Sequence, residues 1–435
     1  MSIIAPDEPL LAMRAAMERE LVDRLLPFWM NVAADERHGG FVGAIAGDGT
    51  RDLDAPKGCI LNARLLWTFS AAYRVLGGDR LRQEADRALT SFVSQFVDPS
   101  YGGVFWMVDA TGRPRDERKH IYAQAFAIYA LAEYHRATGG GGAEEASLRD
   151  AVSLFRLIEA HAHDHAHGGY EEAFSRAWQR LDDVRLSDVD ANERKSMNTH
   201  LHLLEAYTNL WRVWPNADLR ERLAELVGLF VETIVNSERG TLIGFFDADW
   251  TPKANAVSFG HDIEASWLLV EAADVLGHSE LRRRAVLAAD RLASAVLSSG
   301  VDTVHGGVFT ERRGDAIDTD KEWWPQAEGI VGLLAAHERT GSRAYADAAL
   351  ATWQFVERHV RDVERGEWHR RVSRDGDVRP GWEKVGPWKC PYHNARACLE
   401  VMARIGAAPT ATDTRANRAP DGITTPAALS SFRTT

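Results

Sequence analysis

Histidines, carboxylates and a guanidinium recur in this chain at the starts of otherwise apolar, helix-like stretches. Asn198 and His202 stand four residues apart and His261 and Glu264 three apart, so each pair lies on one face of a helix. The stretch Trp388 to Arg396 crowds Tyr392, His393, Asn394 and Arg396 into one turn after Pro391, ahead of the apolar run Ala397, Leu399, Val401, Met402 and Ile405. Arg64 sits among Leu61, Leu65, Leu66 and Trp67, where a guanidinium wants an anionic or hydroxyl-rich partner. Imidazoles titrate near neutrality and can both take and return a proton, which suits abstraction at a carbon beside a carbonyl. Two of them on opposite walls can deprotonate one face of a planar intermediate and reprotonate the other while Arg64 holds the enediolate oxygens.

Other chemistries fit less well. No serine nucleophile elbow and no phosphate-cradling glycine loop precedes a helix. Cys390 and His393 are spaced like half of a zinc site, but no second Cys/His pair completes a tetrahedron, so no metal is expected. The run His161, His163, His165 and His167 alternates with other residues just before a glycine pair and reads as an exposed connector. Trp324 and Trp388 suit the apolar faces of sugar rings, whereas most of the 14 tryptophans are expected in the core.

These residues need elements that bring them together, and the chain supplies a repeat. A glycine-rich hairpin occurs six times: His38-Gly39-Gly40-Phe41, Tyr101-Gly102-Gly103-Val104, His167-Gly168-Gly169-Tyr170, Gly240 to Phe245, His305-Gly306-Gly307-Val308 and Arg365-Gly366-Glu367-Trp368, at steps of roughly 60 to 72 residues. A helical pattern follows each one: Leu61 to Gly77, Ile121 to Gly139, Asn198 to Pro215, His261 to Gly277, Trp324 to Gly341 and Pro391 to Gly406. Further amphipathic stretches lie between them, as at Asp79 to Phe96, Leu219 to Asn236, Glu280 to Leu297 and Arg343 to Val360. Two helices per unit and no long strand pattern predict an all-α (α/α)6 barrel with short β-hairpins at one end. Six inner helices would be ringed by six outer ones, in one catalytic domain over residues 1–406. Residues 407–435, rich in Ala, Thr, Pro and Arg without periodicity, read as a disordered tail. In a closed toroid the inner helices point the same way. Arg64, Tyr122, Gln124, Asn198, His202, His261, Glu264, Trp324, Glu328, Trp388, His393 and Arg396 would then converge on one mouth.

Composition bounds the partners. A chain of 435 residues with 45% apolar content can bury a large core, and a net charge of −12 disfavours nucleic acid and anionic membrane. Three scattered cysteines point to a reducing, cytoplasmic compartment. The first thirty residues alternate charge with hydrophobe and carry no signal-peptide pattern. A small-molecule ligand is expected, on a monomer or weak homodimer.

The blocks Ser196 to His202, Gly260 to Ser266, Trp323 to Glu328 and Trp388 to Asn394 resemble the N-acylglucosamine 2-epimerase family, most closely its cellobiose 2-epimerase branch, over about Arg37 to Ile405. The resemblance implies an (α/α)6 barrel and cofactor-free, metal-free epimerisation of a reducing-end aldose at C2 through a cis-enediolate. By motif, His393 resembles the base at C2 and His261 the acid that returns the proton. Arg64, Asn198, His202 and Glu264 match positions that hold the open-chain sugar and its enediolate. Tyr122, Asp190, Trp324 and Trp388 match positions lining the sugar subsites, Asp190 by its distance from Asn198, and Trp388 is expected to stack on a second sugar. Glu328 is expected among the substrate-binding residues. The nucleotide-responsive N-acetylglucosamine branch differs around the last histidine, so no nucleotide is expected. The rival readings are a mannose 2-epimerase or mannose isomerase and, more distantly, an (α/α)6 glycoside hydrolase, which needs a carboxylate pair across the cleft where this chain is richer in histidine. Residues 372–387 carry no pattern that assigns them a place.

Overall fold

The computed structural model describes residues 7–139, 141–253 and 256–406. The expected tail at 407–435 lies outside the described residues. Twelve α-helices are present among them: α1 (Glu8–Glu20), α2 (Cys59–Leu76), α3 (Asp79–Phe96), α4 (Ile121–Thr138), α5 (Ala143–His161), α6 (Met197–Val213), α7 (Ala217–Leu229), α8 (Phe259–Leu276), α9 (Ser279–Ser299), α10 (Trp323–Thr340), α11 (Arg343–Phe355) and α12 (Tyr392–Arg404). Short π-helical segments extend α1, α7 and α11.

The even-numbered helices form the inner ring. Each packs on the next from α2 through α12, and α12 packs back on α2, so the ring is closed. Burial separates the layers: the first fourteen residues of α4 are all buried, whereas α3 buries only Ala85, Ala88, Leu89, Ser91, Phe92 and Phe96 along one stripe. A helix enclosed by an outer layer and by its own ring loses its polar face, while an outer helix keeps one. Periodicity picks out four outer helices; α1 and α5 are the other two. α1 precedes the first glycine hairpin and packs on α12 and α11, supplying the last inner helix with the cover its own unit lacks.

The hairpins join each outer helix to the next inner one, and each is built on an Asx turn. The Oδ1 atoms of Asp35, Asp98, Asp164, Asn236, Asp302 and Asp362 accept the backbone N–H groups two and three residues on. A glycine at positive φ follows, as at Gly39 (79°) and Gly306 (80°). Buried lysines bind four of these carboxylates: Lys57 to Asp35 (2.7 Å), Lys119 to Asp98 (2.9 Å), Lys195 to Asp164 (2.8 Å) and Lys321 to Asp302 (3.1 Å). Each lysine lies two residues before its inner helix. The fourth unit has Asn236 in place of the aspartate and Val257 in place of the lysine, so both charges are lost together. A buried lysine without a counter-charge would be strongly destabilising, which makes that joint loss physically consistent. In the sixth, Lys384 binds Asp362 (2.6 Å) and Lys389 binds Glu367 (2.7 Å).

Two- and three-residue strands lace neighbouring inner-helix N-termini together, for example Lys57–Gly58 with Met107–Val108 and Lys321–Glu322 with Arg371–Val372, and the Ile45↔Val385 bridge joins the last unit to the first. These N-termini surround one end of the ring axis. No helix among the described residues is long and apolar enough to cross a membrane.

Candidate active site

One turn into four of the inner helices, a buried polar residue ties the helix to its hairpin. Gln124 Oε1 accepts from the Val104 N–H at 2.8 Å and its Nε2 donates to the Val104 carbonyl at 2.9 Å; Gln326 does the same with Val308. His200 Nε2 accepts from Tyr170 (2.9 Å), and Asp262 accepts from Leu242 (2.8 Å). Gln124, expected at the mouth, therefore serves the scaffold, because a buried backbone N–H and C=O at Val104 need a partner.

Half a turn further, Arg64, Phe126, His202, Glu264, Glu328 and Arg396 occupy equivalent positions on the six inner helices. The Arg396 guanidinium, buried at the centre, donates to Glu264 (2.5 Å) and Glu328 (2.7 Å) and also to Glu205 and the Tyr392 hydroxyl. The same carboxylates hold the imidazoles: His393 Nδ1 lies 2.7 Å from Glu328 Oε1, and His202 Nδ1 lies 2.9 Å from Glu205 Oε2. Three acids thus face one central arginine. Burial, reinforced by the neighbouring Glu328, raises the Glu264 carboxyl well above the ordinary range. For Glu205 burial pushes up, but Arg396 and His202 outweigh it and bring the value to about 2.

Above this layer opens a cavity of about 280 Å³. Arg64, Tyr122, Asp190, Asn198, His202, His261, Glu264, Trp324, Trp388 and His393, drawn from all six inner-helix regions and one connecting segment, line it as expected from the sequence. Glu328 does not. Its carboxylate is instead taken up by His393 (2.7 Å), Arg396 (2.7 Å) and the Trp267 indole N–H (3.2 Å), whereas Glu264 at the equivalent place on α8 does face the cavity.

His393 and His261 have different supports. A carboxylate accepts, so Glu328 fixes the His393 proton on Nδ1 and leaves Nε2 with a lone pair. His261 Nδ1 lies 2.8 Å from Ser258 Oγ, the cap of α8, and a hydroxyl can donate or accept, which leaves His261 free to present either form. Burial, together with the positive charge of Arg64 and Arg396, holds His393 well below the usual histidine range; burial, with His202 and Arg64 nearby, brings His261 to about 3. Both shifts favour the neutral imidazole. The Trp324 ring lies against both, with centroids 4.7 Å from His261 and 5.6 Å from His393.

Arg64 is buried and donates to the Tyr122 hydroxyl at 2.9 Å, with Cys390 Sγ at 3.8 Å; its Nε has no partner, and no carboxylate pairs with it among the described residues. A guanidinium stays charged, so this one offers the cavity an unspent positive charge. Asn198 Oδ1 is likewise buried without a partner. Trp388 stands edge-on to Trp106 (6.0 Å) and Tyr122 (5.9 Å), making an aromatic wall. The rim comes from residues 175–194, where Asp190 accepts from Ser187 Oγ at 2.6 Å beside Leu186 and the exposed Val189. Residues 372–387 reach the mouth indirectly: Arg370, which lines the cavity, lies over the Trp382 ring at 4.5 Å and pairs with Glu383.

Glu205, Ser258, Glu322 and Arg370 were not singled out by sequence. Glu205, three residues after His202, and Ser258, three before His261, had a helical-spacing signal; Arg370 had none, since strand pairing brings it in. Glu264, Glu328 and His393 each place a donor atom within 4.8 Å of the others, as a cation site would, and Arg396 bonds both carboxylates of that group.

The chain is similar to known proteins along nearly its whole length. The family described as N-acylglucosamine 2-epimerase (GlcNAc 2-epimerase) matches residues 39–397. A cellobiose 2-epimerase of Bacteroides fragilis is 45% identical over 392 residues, covering 90% of this chain and 98% of the relative. The solved cellobiose 2-epimerase of Bacillus thermoamylovorans superposes with a TM-score of 0.86 at 38% identity, covering 91% of this chain and all of the other. A D-mannose isomerase structure matches at TM-score 0.76 and 20% identity, over 92% of this chain and 100% of that one, which is likeness of fold alone. On sequence, fold and site arrangement together, the chain belongs to the N-acylglucosamine 2-epimerase family.

Proposed function

We propose that this protein is a sugar 2-epimerase that interconverts gluco and manno configuration at C2 of the reducing-end aldose of a β-1,4-disaccharide such as cellobiose. The observation that carries the reading is the pair of neutral, differently supported imidazoles facing one cavity whose wall holds an unpaired guanidinium. With the open-chain sugar bound, His393 Nε2 takes the C2 proton, and the electron pair passes into a cis-enediolate. Arg64 and the Asn198 amide donate to the enediolate oxygens, aimed at developing negative charge, and His202, whose Nδ1 proton goes to Glu205, holds the sugar by accepting from a hydroxyl at Nε2. After rotation about C2–C3, His261, having taken a proton from solvent at the mouth as the enediolate's negative charge develops beside it, gives that proton to the opposite face of C2. Solvent exchange at the mouth resets the pair. Glu328 and Glu205 orient His393 and His202.

The disaccharide preference rests on Trp388, which lines the cavity with Tyr122 and is backed by the buried Trp106, an aromatic face on which a second ring can stack. We place the protein in the cytoplasm, supported by three buried free cysteines, Cys59, Cys390 and Cys398. The test is product analysis of cellobiose and of mannose incubations, with kcat/KM for each. Epimer from cellobiose at the higher kcat/KM is expected. A large preference for mannose moves the protein to the monosaccharide branch, ketose as the main product makes it an isomerase, and no product from either overturns the reading.

A further inference from the structure

Trp324 was expected to line a sugar subsite, yet its surroundings point to a second task. Its ring packs against both histidines, at 51° to His261 and 42° to His393. Whatever fixes this ring also fixes the gap and tilt between the two imidazoles. Two contacts fix it. The indole N–H donates to Glu322 Oε2 at 3.1 Å, and Glu322 is itself held by its strand pairing with Arg371 and by that residue's Nη1 at 3.5 Å. On the α8 side the ring lies flat on Gly260, the residue before His261. A Cβ there would meet two Trp324 ring atoms at 2.5 Å and Pro325 Cβ at 3.1 Å. The ring has no slack toward α8, and Glu322 stops it from tipping outward.

We propose that Glu322 and Gly260 are positioning residues that, by fixing Trp324 between His261 and His393, set how the enediolate divides between epimerisation and return to the starting sugar. This rests on the function proposed above. Once the C2–H bond has broken and its proton is on His393, the intermediate has three exits. His261 can deliver a proton to the far face of C2, His393 can return one to the near face, or C1 can be protonated to give the ketose. Each exit needs its donor close to the carbon it protonates. Ordinary carbon contact begins at 3.4 Å, so an alanine at 260 drives the ring about 0.9 Å away from α8 and from His261 on it, while His393 keeps its bond to Glu328. A misplacement near 1 Å at a reacting centre costs about 10²-fold. The backbone itself tolerates the change: Gly260 lies within α8 and is absent from the positive-φ glycines.

The experiment follows a gluco disaccharide in deuterated water by NMR and measures C2 deuterium in recovered substrate, epimer and ketose. Gly260→Ala and Glu322→Ala, each confirmed folded by circular dichroism, should keep exchange into the starting sugar within about 3-fold of wild type while epimer formation falls about 30- to 100-fold. Glu322→Gln keeps an amide oxygen for the indole N–H and should restore the wild-type partition. A parallel fall of exchange and epimerisation in both alanine variants, or a glutamine variant indistinguishable from the alanine one, overturns the proposal. If the wild type neither exchanges nor epimerises, the functional reading itself is what fails.

Discussion

Removing His261 should leave half a reaction, because the two histidines share no hydrogen-bond partner. His261 hangs on Ser258 at the cap of α8, whereas His393 is held by Glu328 and, through it, by Arg396. In His261→Ala the carboxylate, the arginine and His393 all keep their bonds; only Trp324 loses a neighbour. His393 then still exchanges the C2 hydrogen of the gluco sugar, within about 10-fold of wild type, while epimerisation loses its proton donor. A positioned acid is worth about 10²- to 10⁴-fold, or about 2.7 to 5.4 kcal/mol at 1.36 kcal/mol per decade. In His393→Ala both exchange from the gluco sugar and epimerisation should collapse. NMR detection of C2 deuterium uptake in both variants, with circular dichroism to confirm the fold, reads the difference directly. Equal exchange in the two variants, or near-wild-type epimerisation in either, would refute this division of labour.

Turnover should survive EDTA, since Arg396 already neutralises the carboxylates that could otherwise gather a cation; activity lost on chelation and restored by one metal would show otherwise. Lys57→Val should strand the buried Asp35 carboxylate and cost about 3 to 5 kcal/mol by urea denaturation. Adding Asp35→Asn, the combination the fourth unit carries as Asn236 and Val257, should recover most of that loss. Asp262 tests the pH dependence of stability. Burial raises its carboxyl to about 8 from 3.8, so the folded state keeps a proton that the unfolded state releases above about pH 4, and stability falls as pH rises from 4 toward 8. Asp262→Asn retains an acceptor for the Leu242 N–H and has no proton to lose, so it should match wild type near pH 4 and exceed it by about 1 to 3 kcal/mol at pH 8. A gap that is constant with pH would mean the carboxyl is not perturbed.

The six-fold repeat, the inner-helix positions and most cavity-lining residues were legible in the sequence, because each is a local signal. Glycine pairs mark tight turns, and a 3.6-residue apolar period marks a helix. A histidine or arginine set in that period departs from what a buried face needs, as Arg64 and His393 do. The same signals misplaced Gln124 and Glu328. A buried polar residue at a helix start serves a backbone amide, a neighbouring side chain or a substrate equally well on paper, and Glu328 is spent on His393 and Arg396 where the equivalent Glu264 faces the cavity.

Closure of the ring by α12 on α2, the Arg396 network that gathers Glu205, Glu264 and Glu328 and sets Glu328 on His393, and the wedging of Trp324 between two imidazoles all join residues from different repeats. Which repeat meets which is fixed by how twelve helices close on themselves among the described residues, and the hydrogen-bond partners at the axis exist only once they have done so. Local sequence therefore determined which side chains were available and at what height, while packing alone decided which carboxylates meet Arg396 and which one meets His393, since those contacts span 65 to 191 residues of chain.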